Sequence, residues 1–310
     1  ILQAQGRRQE ALSWVDRALQ LKPQVARFIT NRAGVLSELG RIDEAMAEYR
    51  RALAVDPGHA EAAWNLALLQ MLTGDFEAGL RGRELRWQFP KLRPAYPDFR
   101  GAMWLGAGPL DGRTIIVCAD EGLGDTIQHV RYIPMLAARG ARVILVVEPA
   151  LCPLLAGMTG VAQCLPKLED TVLPAYDLHV PINCLPLAFG TRLDSIPSGA
   201  NYLPPLAADR VQAWAHRLGA HDRLRVGLVW SGNPKHLNDR NRSTTLHTVS
   251  RLFDVDASFV SLQKDPRPED AALLRARPDI VDLTADLKDF ADTAALVSCL
   301  DLVIAVDTSV

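Results

Sequence analysis

No stretch of the 310-residue sequence holds about 18 consecutive apolar residues, so no membrane-spanning helix is expected. Positive charge is not in excess either. The 34 lysines and arginines are outnumbered by 36 aspartates and glutamates, and a net charge of −2 disfavours a nucleic-acid binder or a protein held at an anionic membrane. Cysteine is sparse: Cys118, Cys152, Cys164, Cys184 and Cys299 are odd in number, and no two form a C-x-x-C pair. That pattern reads as reduced core thiols of a cytoplasmic protein rather than a disulfide framework or a zinc site. The histidines (His59, His129, His179, His216, His221, His236 and His247) lack H-x-x-x-H and H-E-x-x-H spacing, so neither a metal site nor a cofactor is expected. The first residues, Ile1-Leu2-Gln3, include no Met and no signal-peptide pattern, and Asp307-Thr308-Ser309-Val310 follows directly on an apolar run. The chain is therefore expected to be a piece of a longer protein.

What the sequence does have, first, is a repeat. A shift of 34 residues aligns Gly6 with Gly40 and Gly74, Ala11 with Ala45 and Gly79, and Leu12 with Met46 and Leu80. It also aligns Ala18-Leu19 with Ala52-Leu53, Pro23 with Pro57, Asn31 with Asn65, and Ala33 with Ala67. Small residues let two helices of a hairpin approach closely, a glycine turns the chain, and Pro57 halts the second helix because it cannot continue the hydrogen-bond ladder. The pattern resembles the tetratricopeptide repeat, most fully in the middle copy: Gly34, Leu39-Gly40, Asp43-Glu44-Ala45, Tyr49, Ala52-Leu53 and Asp56-Pro57. Repeats are expected over 1–88, with the first copy missing most of its leading helix. Such stacks serve as protein-docking surfaces or as spacers, and both readings stand.

From 89 to 112 the composition changes. Pro90, Pro94, Pro97 and Pro109, with Gly101, Gly106 and Gly108, mark a linker. Beyond it, short apolar runs alternate with helix-period stretches: strands at 114–119, 142–147, 161–165 and 178–182, and a helix at 126–138. After a Pro-rich stretch the alternation restarts, with strands at 225–230, 258–263, 280–283 and 302–306 and helices near 207–218, 269–275 and 290–299. This grammar predicts parallel sheets covered on both faces, as two facing Rossmann-like domains over 113–205 and 206–310, the second incomplete. Ligands of such sheets bind at the carboxyl ends of the strands.

The first strand runs into Asp120-Glu121-Gly122-Leu123-Gly124-Asp125-Thr126. A P-loop is excluded because no lysine follows the glycines. A dinucleotide fingerprint fits in Gly122 and Gly124, with Glu148 placed for a ribose hydroxyl. It fails at Ile127, where a third glycine belongs, and at Asp125, whose carboxylate would repel a pyrophosphate. Asp125 itself suits a general base taking a proton from an incoming hydroxyl, or it serves only to cap the helix.

The stretch Gly122-Leu123-Gly124-Asp125-Thr126, after a first strand and opening a helix, resembles the start of the glycosyltransferases of family 9, the heptosyltransferase-like group. The resemblance implies a GT-B fold, with Asp125 as the base of an inverting, metal-independent sugar transfer and Gly122 and Gly124 forming the acceptor-side loop. On the donor side, the strand at 225–230 ends in a polar loop from Ser231 to Ser243 carrying Lys235, Arg240 and Arg242. Arginine forks onto phosphate oxygens and Gly232 leaves backbone N–H groups accessible. By the resemblance, Ser231, Gly232 and Asn233, with Lys235 or Arg242, hold the donor's phosphates. Asp307-Thr308-Ser309 resembles the family's Asp-Thr/Ser-Gly/Ala turn, which holds the donor's diphosphate and sugar.

Two further features read as structural. Asp254-Val255-Asp256 has the D-x-D spacing of metal-dependent transferases, yet it precedes a strand and is expected as a solvated turn. Trp64 fits a repeat core position. Trp230, at a strand end, is expected to pack in the core or rim rather than stack on a base. The function implied is transfer of a sugar from a nucleotide-sugar donor to a glycan or protein acceptor, by a chain whose repeats dock a protein partner. If the chain indeed stops inside the donor turn, weak donor binding is expected. The alternative is a repeat scaffold carrying a non-catalytic GT-B remnant.

Overall fold

A computed structural model describes residues 2–3, 5–90, 96–198, 201–220, 222–236 and 238–310. Ile1, Pro94 and His221, and Leu237 within the loop from Ser231 to Ser243, lie outside the described residues. The chain forms two compact units, one of residues 1–108 with 183–198 and the other of 109–182 with 199–310. The expected boundary between 205 and 206 falls inside the second unit. No helix is long and apolar enough to cross a membrane among the described residues.

In the first unit, α1 (Arg8–Leu21), α2 (Ala26–Glu38), α3 (Ile42–Val55), α4 (Ala60–Leu72) and α5 (Phe76–Arg83) follow the 34-residue period. Gly6, Gly40 and Gly74 all have positive φ (75°, 75° and 89°), the left-handed conformation that glycine adopts without steric penalty. The same bond closes each turn: the N–H groups of Arg7, Arg41 and Asp75 donate to the carbonyls of Leu2, Leu36 and Gln70 at 3.0, 3.0 and 2.8 Å. Inside, Ile29, Leu36, Ala45, Tyr49 and Ala52 belong to one apolar cluster. The third copy, which fades in sequence after Leu80, is closely packed. A Cβ added to Gly79 would lie 2.8 Å from Ala67 O and 2.9 Å from Met71 N. Trp64 is half-buried rather than enclosed, with the Arg83 guanidinium 5.9 Å from its ring centroid. The unit continues through the two-residue strand β1 (Ala102–Met103) and the helix Leu185–Ala188, where Trp104 and Phe189 meet edge to face at 5.7 Å.

The second unit holds two parallel sheets. Within it, β2 (Thr114–Cys118), β3 (Arg142–Val147), β4 (Val161–Pro166) and β5 (Leu178–Pro181) lie in the order β5-β2-β3-β4. The strands β6 (Leu224–Val229), β7 (Ala257–Ser261), β8 (Ile280–Asp282) and β9 (Leu302–Ala305) lie in the order β8-β7-β6-β9. Each set thus reads third, second, first, fourth in chain order, and the pairings among the described residues of this unit are parallel. The chain reverses its direction of winding beside β2 and beside β6, which makes the carboxyl ends of these strands the natural ligand positions. β2, β3 and β6 are buried almost throughout, as strands covered on both faces must be. Val226, Leu228 and Trp230 pack on one face of β6, and Val229 packs with Trp214, Leu262 and Leu296 on the other.

The first long helix differs from expectation. It begins at Leu123 rather than 126, as α6 (Leu123–His129), and passes through a 3-10 turn into α7 (Ile133–Ala138). Pro134, in the first turn of α7, has no N–H to donate to the Val130 carbonyl, so the ladder is interrupted over Val130–Tyr132. All five cysteines are free thiols. Burial pushes the Cys118 thiol up to about 12.

Two outcomes are expected. Gly79→Ala should destabilise the repeats by about 1–3 kcal/mol in denaturant unfolding, since the methyl meets backbone atoms. Burial pushes the Tyr49 phenol up to about 12, partly offset by its hydrogen bond with Asn65. An unfolded tyrosine titrates near pH 10, so this contribution to stability is present below about pH 10 and lost as the pH rises towards about 12. Ultraviolet titration should show a late phenolate component that Tyr49→Phe reduces by one tyrosine.

Candidate active site

The glycine turn after β2 is an ordered helix start. Gly122 is the N-cap in extended conformation (φ −74°, ψ 168°), and Asp125 sits three residues on, not at the cap. Its Oδ2 accepts the Gly122 N–H at 3.0 Å, satisfying a donor that the helix leaves unpaired. The Thr126 hydroxyl donates to Gly122 O at 3.2 Å, and His129 Nδ1 lies 2.8 Å from Asp125 O. A Cβ on Gly122 would sit 2.9 Å from Asp125 Oδ2, so a side chain there would push the carboxylate away. Lys167 Nζ, 3.7 Å from Glu148 Oε1, donates to Ala119 O at 2.7 Å, so Glu148 faces a lysine.

The loop after β6 is held from below by a buried amide. Gln263 Oε1 accepts the N–H groups of Trp230 (3.2 Å) and Ser231 (2.9 Å). Trp230 is fully enclosed and its Nε1 donates to Asp270 Oδ2 at 3.0 Å, so it packs in the core as expected. Gly232 N–H donates to Ser243 Oγ (2.9 Å), which donates to Asp239 Oδ1 (2.6 Å). Asn233 Oδ1 accepts the Lys235 N–H at 2.9 Å, and His236 Nδ1 accepts the Asn238 N–H at 3.2 Å. Arg242 reaches across to Asp307: Nε donates to its carbonyl at 3.0 Å, Nη2 donates to the same oxygen, and Nη2 lies 3.2 Å from Oδ2.

Two cavities meet here. One, of about 400 Å³, is lined by Ser231, Gly232, Gln263, Lys264 and Thr293 among others. The second, of about 760 Å³, is lined by Glu121, Gly122, Asp125, His236, Arg242 and Asp307 among others. Leu123, Asn233, Thr308 and Ser309 line both. The two halves of the unit touch at this boundary: a Cβ on Gly124 would lie 3.5 Å from Ser309 Cα. Ten of the eleven residues singled out in the sequence line one cavity or the other. Lys235 lines neither and is exposed. Asp254-Val255-Asp256 stands apart, with Asp256 86% exposed and 3.4 Å from Arg223.

Sequence reasoning missed Gln263, Lys264, Asp265, His236 and Lys288 as lining residues. Lys264 Nζ donates to Leu287 O at 2.6 Å, and Asp265 takes positive φ (55°). The signal was available, because Gln263-Lys264-Asp265 lies just past β7 at a strand's carboxyl end.

A family model described as TPR repeat matches residues 33–74. The N-terminal helices are tetratricopeptide repeats, followed by the parallel-sheet α/β region. Protein FlbA of Caulobacter vibrioides is 27% identical over 337 residues, covering 95% of this chain and 53% of FlbA. TPR repeat-containing thioredoxin TTL4 of Arabidopsis thaliana is 36% identical over 81 residues, 26% of this chain and 12% of that protein. The chain thus spans about half of FlbA and a small part of TTL4. Among solved structures, the yeast Sti1 TPR2B domain in complex with an Hsp70 peptide is 23% identical, covering 27% of this chain and 66% of that one at a TM-score of 0.26. A tetratricopeptide repeat protein from Parabacteroides merdae is 26% identical, covering 30% and 38% at 0.27.

Gln263→Leu orphans two buried N–H groups and should cost about 2 kcal/mol or more in denaturant unfolding. The Ser243 hydroxyl and then Arg267 hold the Asp239 carboxyl below its ordinary value. Its contribution is present above about pH 4 and lost as the pH falls through the lowered value. The Gly232 amide resonance should therefore shift in acid below about pH 4, and Asp239→Asn should abolish that shift.

Proposed function

We propose that the second unit is the catalytic region of an inverting glycosyltransferase, two facing Rossmann-like halves of GT-B type, in a cytoplasmic protein whose repeats dock a protein partner. The observation that carries this reading is the approach of the glycine turn to the Asp307-Thr308-Ser309 turn, 3.5 Å from the Gly124 Cβ position to Ser309 Cα. The acceptor-side and donor-side candidates then line adjoining cavities.

In this mechanism the acceptor hydroxyl enters the larger cavity beside Asp125. One carboxylate oxygen is held by Gly122 N–H, which orients the other towards the hydroxyl proton. The acceptor oxygen bonds to the anomeric carbon as the bond from that carbon to the diphosphate oxygen breaks. The electron pair leaves on the diphosphate, Asp125 takes the proton, and configuration inverts. The Ser231, Thr308 and Ser309 hydroxyls and the Asn233 amide surround the leaving diphosphate with donors, and Lys264 adds positive charge where negative charge grows. The Gly232 N–H, engaged by Ser243 Oγ, shapes the loop instead. Lys235, exposed on the same loop and lining neither cavity, has no part in this transfer. The residues assigned to this transfer include no metal ligand, and it uses no cofactor. The acceptor is a glycan or a protein.

In the full-length protein, Asp125→Asn should lower sugar transfer about 10²–10⁴-fold with nucleoside-diphosphate affinity within about threefold of wild type. Unchanged turnover would remove Asp125 from the mechanism. Calorimetry showing no binding of any nucleoside diphosphate or nucleotide-sugar would favour the scaffold with a non-catalytic remnant.

A further inference from the structure

Arg242 is, with Lys235, one of two candidates for a phosphate ligand because guanidinium groups fork onto phosphate oxygens, yet its contacts point to a different task. Nε and Nη2, one of the two edges able to fork, both donate to the backbone carbonyl of Asp307, 65 residues away in sequence. Nη2 also lies 3.2 Å from the Asp307 carboxylate, which partly neutralises the charge a phosphate would meet. The Arg242 side chain is 23% exposed, while that of Asp307 is 80% exposed, so the carboxylate contact is solvent-screened and the carbonyl contact is the firmer one.

Geometry around the contact explains why it matters. The last strand-type bond before the turn runs from Val306 N–H to Val229 O at 3.0 Å. Beyond it the chain leaves β9, and Arg242 ties the next carbonyl to the loop after β6. A Cβ on Gly232 would lie 3.6 Å from Asp307 O and 3.7 Å from Arg242 Nε, so loop, turn and guanidinium meet at one point. Gly232 is itself fixed through Ser243 to Asp239, and Asp239 pairs with Arg267. The chain of contacts runs from Arg267 to the turn that carries Thr308 and Ser309.

We propose that Arg242 is a positioning residue: it latches the Asp307-Thr308-Ser309 turn to the loop after β6 through the Asp307 carbonyl and sets Ser309 against Gly124, without touching the donor's phosphate. The role assigned to the turn rests on the glycosyltransferase reading; the latch does not.

The test uses Arg242→Ala, Arg242→Gln and Asp307→Asn in the full-length protein. Amide exchange followed by NMR should speed up at least about tenfold at Val306 and Gly232 in Arg242→Ala, with Leu228 in the β6 core unchanged. Arg242→Gln, which keeps an N–H donor for the carbonyl, should recover part of that protection. Asp307→Asn, which keeps the carbonyl, should stay within about threefold of wild type. Wild-type exchange in Arg242→Ala overturns the latch.

Calorimetry with inorganic pyrophosphate at about 0.05 M and about 0.5 M salt tests the second half of the claim. A positioning role predicts that Arg242→Gln loses the same factor in affinity at both salt concentrations. A loss that shrinks at high salt identifies a direct ion contact and overturns the claim, because salt screens such contacts. If the wild type binds neither pyrophosphate nor nucleoside diphosphates, the donor reading fails, and the exchange measurement still decides the latch.

Discussion

Because the strands of the α/β unit pair in parallel, each must be followed by a crossover, and their carboxyl ends fall on one edge of each sheet. The strand order third, second, first, fourth then places the winding reversal beside β2 and β6. Residues far apart in sequence are brought together by this constraint. The turn at Gly122, the loop from Ser231 and the turn at Asp307 each follow the carboxyl end of a different strand, β2, β6 and β9. Remove the parallel pairing and there is no reason for Gly124 and Ser309 to approach.

Polar groups buried at that edge do most of the local shaping. Gln263 holds two N–H groups at the end of β6, and Asp270 holds Trp230 Nε1 and Leu246 N–H. These bonds replace water where the chain leaves the sheet, and an unpaired donor there would cost more than the bond contributes. The result is a loop whose backbone is set before any ligand arrives. These N–H donors are engaged inside the protein, so what they supply is a fixed loop shape at the carboxyl end of β6.

How much of this was legible in the sequence depends on whether the signal is local. Gly6, Gly40 and Gly74 carry the repeat on their own, because each must adopt positive φ at the same turn, and the period reveals them. Strand positions were legible for the same reason: buried parallel strands are short apolar runs, and β3 was read with its observed bounds. The start of α6 was missed because Gly122 caps it, leaving Gly124 and Asp125 already helical. Four-residue helices such as Asp239–Arg242 are too short to show a period. The tasks of Arg242 and Gln263 were invisible, since both are defined by partners over thirty residues away.

The central claim is that the glycine turn and the Asp307-Thr308-Ser309 turn line one site for a nucleotide-linked sugar. The most direct measurement is an NMR titration of the full-length protein with nucleoside diphosphates, following the amides of Gly124, Gly232 and Ser309. The account predicts that one nucleotide shifts all three with a single Kd, leaving the repeat glycines Gly40 and Gly74 unmoved. Shifts at none of the three with any nucleotide, or Kd values that differ between Gly124 and Ser309, would contradict it.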